Sequence, residues 1–187
     1  MPPRHGPNQL RIIGGTWRSR RIGFPDVEGL RPSPDRVRET LFNWLAPIIA
    51  GSRCLDLYAG SGALGLEALS RGAAAVTFVD TDRRVVQQLE QNLKLLGARA
   101  ASVVQSDALS FLQRPPQPFD VVFLDPPFRR NLLPACLEKL AAGWLTEGAR
   151  VYVESEAELG EPPLLPDWEL LRSKQAGQVR YSLLQAP

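Results

Sequence analysis

Asp125-Pro126-Pro127-Phe128 follows directly on the apolar run Phe119 to Leu124, so a carboxylate stands where a strand of buried pattern ends. The two prolines fix φ and remove two amide donors, leaving a rigid segment that presents acceptors only. Such a segment suits a poor nucleophile that carries two hydrogens: an exocyclic amine on a heteroaromatic base, its lone pair delocalised into the ring. The Asp125 carboxylate and the Pro126 carbonyl are placed to accept those hydrogens and turn lone-pair density toward an electrophile, with Phe128 stacked on the base. By itself the tetrapeptide would equally serve as a strand-ending turn.

A second chemical stretch is Leu55-Asp56-Leu57-Tyr58 running into Ala59-Gly60-Ser61-Gly62-Ala63-Leu64-Gly65. A glycine-rich turn at the carboxyl end of the first strand of an α/β sheet is a ligand position. Gly60 and Gly62 admit close approach of a ligand to the backbone, and Gly65 lets the next helix pack tightly. The same letters satisfy the GxGxxG of NAD-dependent dehydrogenases, where the loop cradles a pyrophosphate. Asp56 favours a different ligand: its charge repels a pyrophosphate and attracts the ammonium and sulfonium of S-adenosylmethionine. Bonding to the loop backbone is its alternative role. Asp80, twenty positions after Gly60, ends the next strand and is placed for ribose hydroxyls. Asp107, in Ser106-Asp107-Ala108, either accepts an adenine amino group or caps the following helix, and the two roles are compatible. The cofactor-binding candidates are therefore Asp56, Tyr58, Ala59, Gly60, Ser61, Gly62, Asp80, Asp107 and Ala108.

These residues need a parallel sheet to bring them to one edge, and the chain from Arg53 onward alternates β-rich and helical runs as such a sheet requires. Strands are expected at Cys54 to Tyr58, Ala75 to Asp80, Ala101 to Gln105, Phe119 to Asp125 and Arg150 to Glu154. Helices are expected at Ala63 to Arg71, Asp82 to Leu96, Ala108 to Gln113 and Asn131 to Ala142. Trp168 to Lys174 and Gln178 to Leu184 read as a closing antiparallel hairpin. Ahead of this core, Leu10 to Ile13 and Trp17 to Phe24 form an N-terminal hairpin around Gly14-Gly15, and Asp35 caps a helix ending near Ala46. Arg18, Ser19, Arg20 and Arg21 put polar groups on both faces of the hairpin, so neither face is expected to be buried. Functionally the chain divides into 1–24, a tail and RNA-docking hairpin, and 25–187, the catalytic domain.

Composition narrows the chemistry further. With 187 residues, 44% hydrophobic and 22% charged, the chain suits one globular domain. No apolar run approaches a bilayer span and no signal peptide is evident, so a cytoplasmic protein without a membrane role is expected. Cys54, Cys136 and the single histidine, His5, lack metal-ligand spacing, so no metal is expected and a histidine base is nearly excluded. The net charge is only +2, yet eight arginines crowd the first forty residues. Arg11, Arg18, Arg20, Arg21, Arg31 and Arg36, with Trp17, are the candidates for contact with RNA, a solvated strand being the alternative for Arg18, Arg20 and Arg21.

Arg11-Ile12-Ile13-Gly14-Gly15 with Trp17, Gly29-Leu30-Arg31-Pro32, Asp35 to Leu45, Leu55 to Gly72, Asp125 to Phe128 and Gly177 to Leu184 together resemble the bacterial enzymes that methylate the 2-amino group of a guanine in 16S ribosomal RNA. The glycine loop and the DPPF tetrapeptide are shared with methyltransferases at large, whereas the Arg31 to Leu45 block and the hairpin are specific to that family. The resemblance implies a Rossmann-like, seven-stranded class I methyltransferase fold with an N-terminal β-hairpin extension. It also implies S-adenosylmethionine as donor and a guanine of small-subunit RNA as substrate, within the assembling or assembled 30S particle; a monomer is expected. Protein-glutamine and DNA-adenine methyltransferases share the fold and the proline motif, but the former usually begin that motif with Asn and the latter usually carry a larger recognition region. A non-catalytic RNA-binding assembly factor is the alternative of a different class.

Overall fold

The computed structural model describes residues 8–187; the tail through residue 7, with Arg4 and His5, lies outside the described residues. The chain runs β1 (Asn8–Arg11), β2 (Arg21–Phe24), α1 (Asp35–Leu45), β3 (Arg53–Asp56), α2 (Ala63–Ser70), β4 (Ala75–Asp80), α3 (Arg83–Leu96), β5 (Ala101–Gln105), α4 (Ala108–Phe111), β6 (Phe119–Leu124), α5 (Leu133–Leu140), β7 (Leu145–Glu156), β8 (Glu169–Ala176) and β9 (Val179–Gln185). Seven strands form one sheet in the order β5-β4-β3-β6-β7-β9-β8, and β1-β2 form a separate hairpin. The first five strands of that order are parallel, while β9 runs antiparallel to both its neighbours. Apolar residues sit on both faces of the central strands: Val121, Val122, Phe123 and Leu124 of β6 are all fully buried, as a parallel strand covered on both sides requires. The hairpin, α1, α2 and α3 pack on one face of the sheet, α4 and α5 on the other.

Local sequence accounts for most boundaries. Asp82 caps α3 by accepting the Arg84 amide, and Gly97 ends it in the left-handed region at φ 67°. Val85, Leu89, Asn92, Leu93 and Leu96 face the sheet at helical spacing. Strand β7 starts at Leu145, five residues earlier than periodicity suggests, because Leu145 pairs with Phe119 ahead of a register shift. Asp35 does not cap α1: Pro34 holds that position without a side-chain bond, and the Asp35 oxygens go instead to Arg38 at 2.6 Å and Arg11 at 3.2 Å.

The hairpin departs most from expectation. Its second strand begins at Arg21, because Trp17 to Arg20 fold back as a turn with Ser19 at φ 68°. One of its faces is buried: Leu10, Ile12 and Ile22 are at most 6% exposed and join the core of α1 and α2. The polar residues that argued against burial lie in the turn or point outward. The loop is fastened to α2 by Glu67, fully buried, whose carboxylate accepts the amides of Ile13 at 2.9 Å and Gly14 at 2.8 Å and pairs with Arg71 and the buried Arg38. Gly15 is required there, since a Cβ would stand 1.9 Å from the Ser70 carbonyl oxygen.

Candidate active site

From β3 the chain builds outward through β4 to β5, then returns to lay β6 on the other side of β3. That reversal opens a crevice at the carboxyl ends of β3 and β6, the standard ligand position of a doubly wound sheet. Asp56 ends β3, Asp80 ends β4, Asp125 follows β6, and Glu154 lies near the end of β7. The sheet therefore brings four carboxyls to one edge.

The glycine loop is held from beneath. Asp80 accepts the Gly60 amide at 2.9 Å on one oxygen and the Asp82 amide at 2.9 Å on the other. Asp56, 3% exposed, accepts the Gly65 amide at 3.0 Å. The alternative role of Asp56 is thus present, and it does not exclude the first. Burial, opposed by that one amide bond and reinforced by Asp80, pushes the Asp56 carboxyl up to about 8, because desolvation disfavours the charged form. A cation brought beside it would reverse the shift. The three loop glycines differ in duty. Added Cβ atoms at Gly62 and Gly65 would lie 2.3 Å from Leu89 and 2.2 Å from Phe78, so both are packing glycines. Gly60, at φ 52°, has open space on its Cβ side with Leu30 first met at 3.8 Å. Leu30 belongs to the 25–34 loop, which overhangs this turn. Tyr58 is half-buried, with its hydroxyl 3.4 Å from the Cys136 sulfur, while Ala59 and Ser61 are buried. Asp107 is exposed and caps α4 by accepting the Ser110 amide at 3.0 Å; that bond to Ser110 holds its carboxyl below the usual range. Ala108 begins that helix and is buried. An open glycine flanked by a buried acid with no counter-ion among the described residues and by a ribose-spaced acid fits a ligand cationic at one end and hydroxylated at the other.

Across the crevice, Pro126 is buried, Pro127 is exposed, and Phe128 is 40% exposed, unusual for a large aromatic. Beyond them Arg129 and Asn131 take positive φ, and the Arg129 amide donates to Glu156, which fixes the exit of the tetrapeptide. Burial, then Glu154, then Asp56 push the Asp125 carboxyl well above its usual range. Glu154, Tyr152 and Ser33 were not expected at the site. Ser33 donates to Glu154 Oε1 at 2.5 Å and Tyr152 donates to the same oxygen at 2.8 Å. The available signal was an acid ending the apolar run Val151 to Val153, but only the sheet order shows that this strand lies beside β6.

The basic candidates divide. Arg11 and Arg21 line a hollow of about 370 Å³ with Pro32, Ser33 and Arg38, on the side of Glu154. Arg31 and Arg36 are exposed on the adjoining loop and first turn of α1. Arg20 instead reaches the Leu95 carbonyl in the last turn of α3, at the edge of the sheet opposite the crevice, and Arg18 lies in the same turn. Trp17 is half-buried against the core, its amide bonded to Ser70 Oγ. Cys54 and Cys136 are free and buried, burial pushing the Cys54 thiol up to about 12. Among the described residues no cluster of three or more His, Cys, Asp or Glu could hold a metal, and no helix is long and apolar enough to cross a membrane.

A family model described as conserved hypothetical protein 95 matches residues 10–185. The Escherichia coli (strain K12) protein named ribosomal RNA small subunit methyltransferase D is 56% identical over 185 residues, 98% of this chain and 93% of its own length. The Haemophilus influenzae protein of the same name is 49% identical over 183 residues, 95% of this chain and 94% of its own. The solved structure of yhhF from Escherichia coli matches with a TM-score of 0.89 at 54% identity, over 95% of this chain and 98% of that one. A Thermus thermophilus 16S rRNA N2 methyltransferase, solved with AdoMet and guanosine, has a TM-score of 0.70 at 22% identity over 97% of this chain and 50% of that one, a likeness of fold.

Proposed function

The chain belongs to the conserved hypothetical protein 95 family, with the class I methyltransferase fold, and from that premise we propose that it methylates the exocyclic 2-amino group of a guanine in 16S ribosomal RNA, using S-adenosylmethionine and acting as a monomer on the assembling or assembled 30S particle. The relatives named above supply the substrate class. The observation that carries the reading is the acceptor-only Asp125-Pro126 segment, set across the crevice from the open glycine loop.

When bound, S-adenosylmethionine supplies an electrophilic methyl on a sulfonium. Asp56 would neutralise its cationic end, Asp80 would take the ribose, Asp107 and Ala108 the adenine edge, and the Tyr58 to Gly62 backbone would line it. The substrate amine is then held by the Asp125 carboxylate and Pro126 carbonyl for in-line attack, so the protein contributes positioning without a covalent intermediate. A guanine splayed out of its RNA finds Phe128 exposed for stacking, which offsets part of the unstacking cost. Arg11, Arg21, Arg31 and Arg36 would hold phosphates near the crevice, with Arg18, Arg20 and Trp17 extending the contact along the hairpin. Residues 1–24 thereby act as the docking segment of the 25–187 catalytic domain.

Labelled methyl transfer onto 30S particles, free 16S RNA, DNA and protein in parallel, followed by nucleoside digestion, tests this reading. N2-methylguanosine from the RNA or the particle is expected. Label in DNA or protein, or RNA binding without transfer, would overturn it.

A further inference from the structure

Asp125 and Glu154 belong to neighbouring parallel strands, and the register Leu124↔Val153 sets the next residue of each side by side. Both side chains fall on the face of the sheet that carries Phe123 and Tyr152, two residues before each, and Glu154 is the charged neighbour that most raises the Asp125 carboxyl. Glu154 is 7% exposed, and its two hydroxyl donors, Ser33 and Tyr152, both use Oε1, so neither occupies Oε2. Two bare carboxylates side by side, one of them buried, repel strongly. Among the described residues no Lys or Arg pairs with either. The other groups facing them add no positive charge: Asp56 from β3 toward Asp125, and Tyr181 of β9, the register partner of Glu154.

We propose that Glu154 is a positioning residue that shares one proton with Asp125, so that the pair carries a single negative charge and Asp125 keeps an acceptor oxygen turned to the substrate amine. The inference rests on the proposed role of Asp125. As the amine nitrogen gains a methyl it must give up one proton. That proton passes to the Asp125–Glu154 pair, which becomes neutral, and it leaves to water when the product departs. Burial pushing the Asp125 carboxyl upward agrees with the arrangement. Ser33 gives the pair a second purpose, since its bond to Glu154 ties the 25–34 loop, which overhangs the glycine turn, to the acceptor side of the crevice.

Infrared difference spectroscopy of the full chain at neutral pH reads protonated carboxyls directly. The wild type should carry one such signal beyond that of Asp56, and Asp125→Asn and Glu154→Gln should each remove it, while the Asp56 signal disappears only in Asp56→Asn. A signal that survives Glu154→Gln, or its absence from the wild type, overturns the proposal. Ser33→Ala, a milder change, removes one donor from Glu154 and should carry the signal to higher pH; an unmoved titration also counts against the shared proton. With RNA, Glu154→Gln should lower kcat, up to about tenfold for each unit of basicity that Asp125 loses, at unchanged KM and cofactor affinity. A raised KM with unchanged kcat would mean a structural role only, and overturns it. The spectra need neither donor nor RNA, so a wild type that shows the shared proton but transfers no methyl would refute the substrate reading alone.

Discussion

Asp56→Asn should stabilise the ligand-free protein while weakening its hold on S-adenosylmethionine. Asp56 is 3% exposed, has no ion-pair partner among the described residues, and is pushed up to about 8 in the folded chain; in the unfolded chain it returns to about 3.9. The folded state therefore keeps a proton that the unfolded state has released. Stability must fall as pH rises from about 4 to about 8, by roughly 1.4 kcal/mol per unit. The accumulated cost is about 1.5 kcal/mol at pH 5 and on the order of 4 kcal/mol at pH 7, with little further loss above pH 8. Asparagine keeps an acceptor for the Gly65 amide and carries no charge, so it escapes the whole penalty. For a chain of this size, 4 kcal/mol corresponds to roughly 8–16 °C in Tm. Thermal melts of both proteins from pH 4 to pH 9 check this: the curves should meet near pH 4, diverge to pH 8 and run parallel above it. Equal Tm at pH 7, or a gap that does not widen with pH, would refute the reasoning. The same carboxyl should release its proton when a cationic ligand arrives, so S-adenosylmethionine should bind more tightly as pH rises toward 8, with proton release visible as a calorimetric heat that depends on the buffer.

Asp125→Asn should abolish methyl transfer in a single-turnover assay while leaving cofactor affinity, measured by calorimetry, within a few fold; near-normal turnover would end the amine-positioning account. Gly65→Ala puts a Cβ 2.2 Å from the Phe78 ring and should cost about 1–3 kcal/mol, read as a lower denaturation midpoint at unchanged slope. Glu67→Ala leaves the Ile13 and Gly14 amides without their acceptor and takes one carboxylate partner from Arg38 and from Arg71, and should cost about 3–5 kcal/mol, measured by urea denaturation. Replacing Arg21, Arg31 and Arg36 together with Gln should lower the salt slope of RNA binding by about two, near 0.7 for each lost single-strand phosphate contact. Replacing Arg18 and Arg20, on the opposite edge of the sheet, should lower it less.

What the amino-acid order determined by itself was local. The Phe119 to Leu124 run, the glycine turn after Leu55-Asp56, the strand-end acids Asp80 and Asp107 and the acceptor-only tetrapeptide are each written within a few residues, because strand burial, turn geometry and proline chemistry depend on near neighbours. The strands and helices of the core were legible for the same reason, with errors of a few residues at Leu145 and at the ends of α4 and α5. The tertiary structure alone decided what those pieces meet. Glu154 stands 29 positions after Asp125, and only the sheet order sets β7 beside β6 and makes neighbours of two separate acids. Charge along the hairpin was visible; that its turn folds against Ser70 and Glu67 while Leu10, Ile12 and Ile22 enter the core was not, because an alternation of polar residues does not say which ones a turn removes from the strand. Likewise Gly65 was legible as a packing glycine, but that Phe78 of β4 is what it packs against, and that Leu89 of α3 fills the space beside Gly62, only the fold decided.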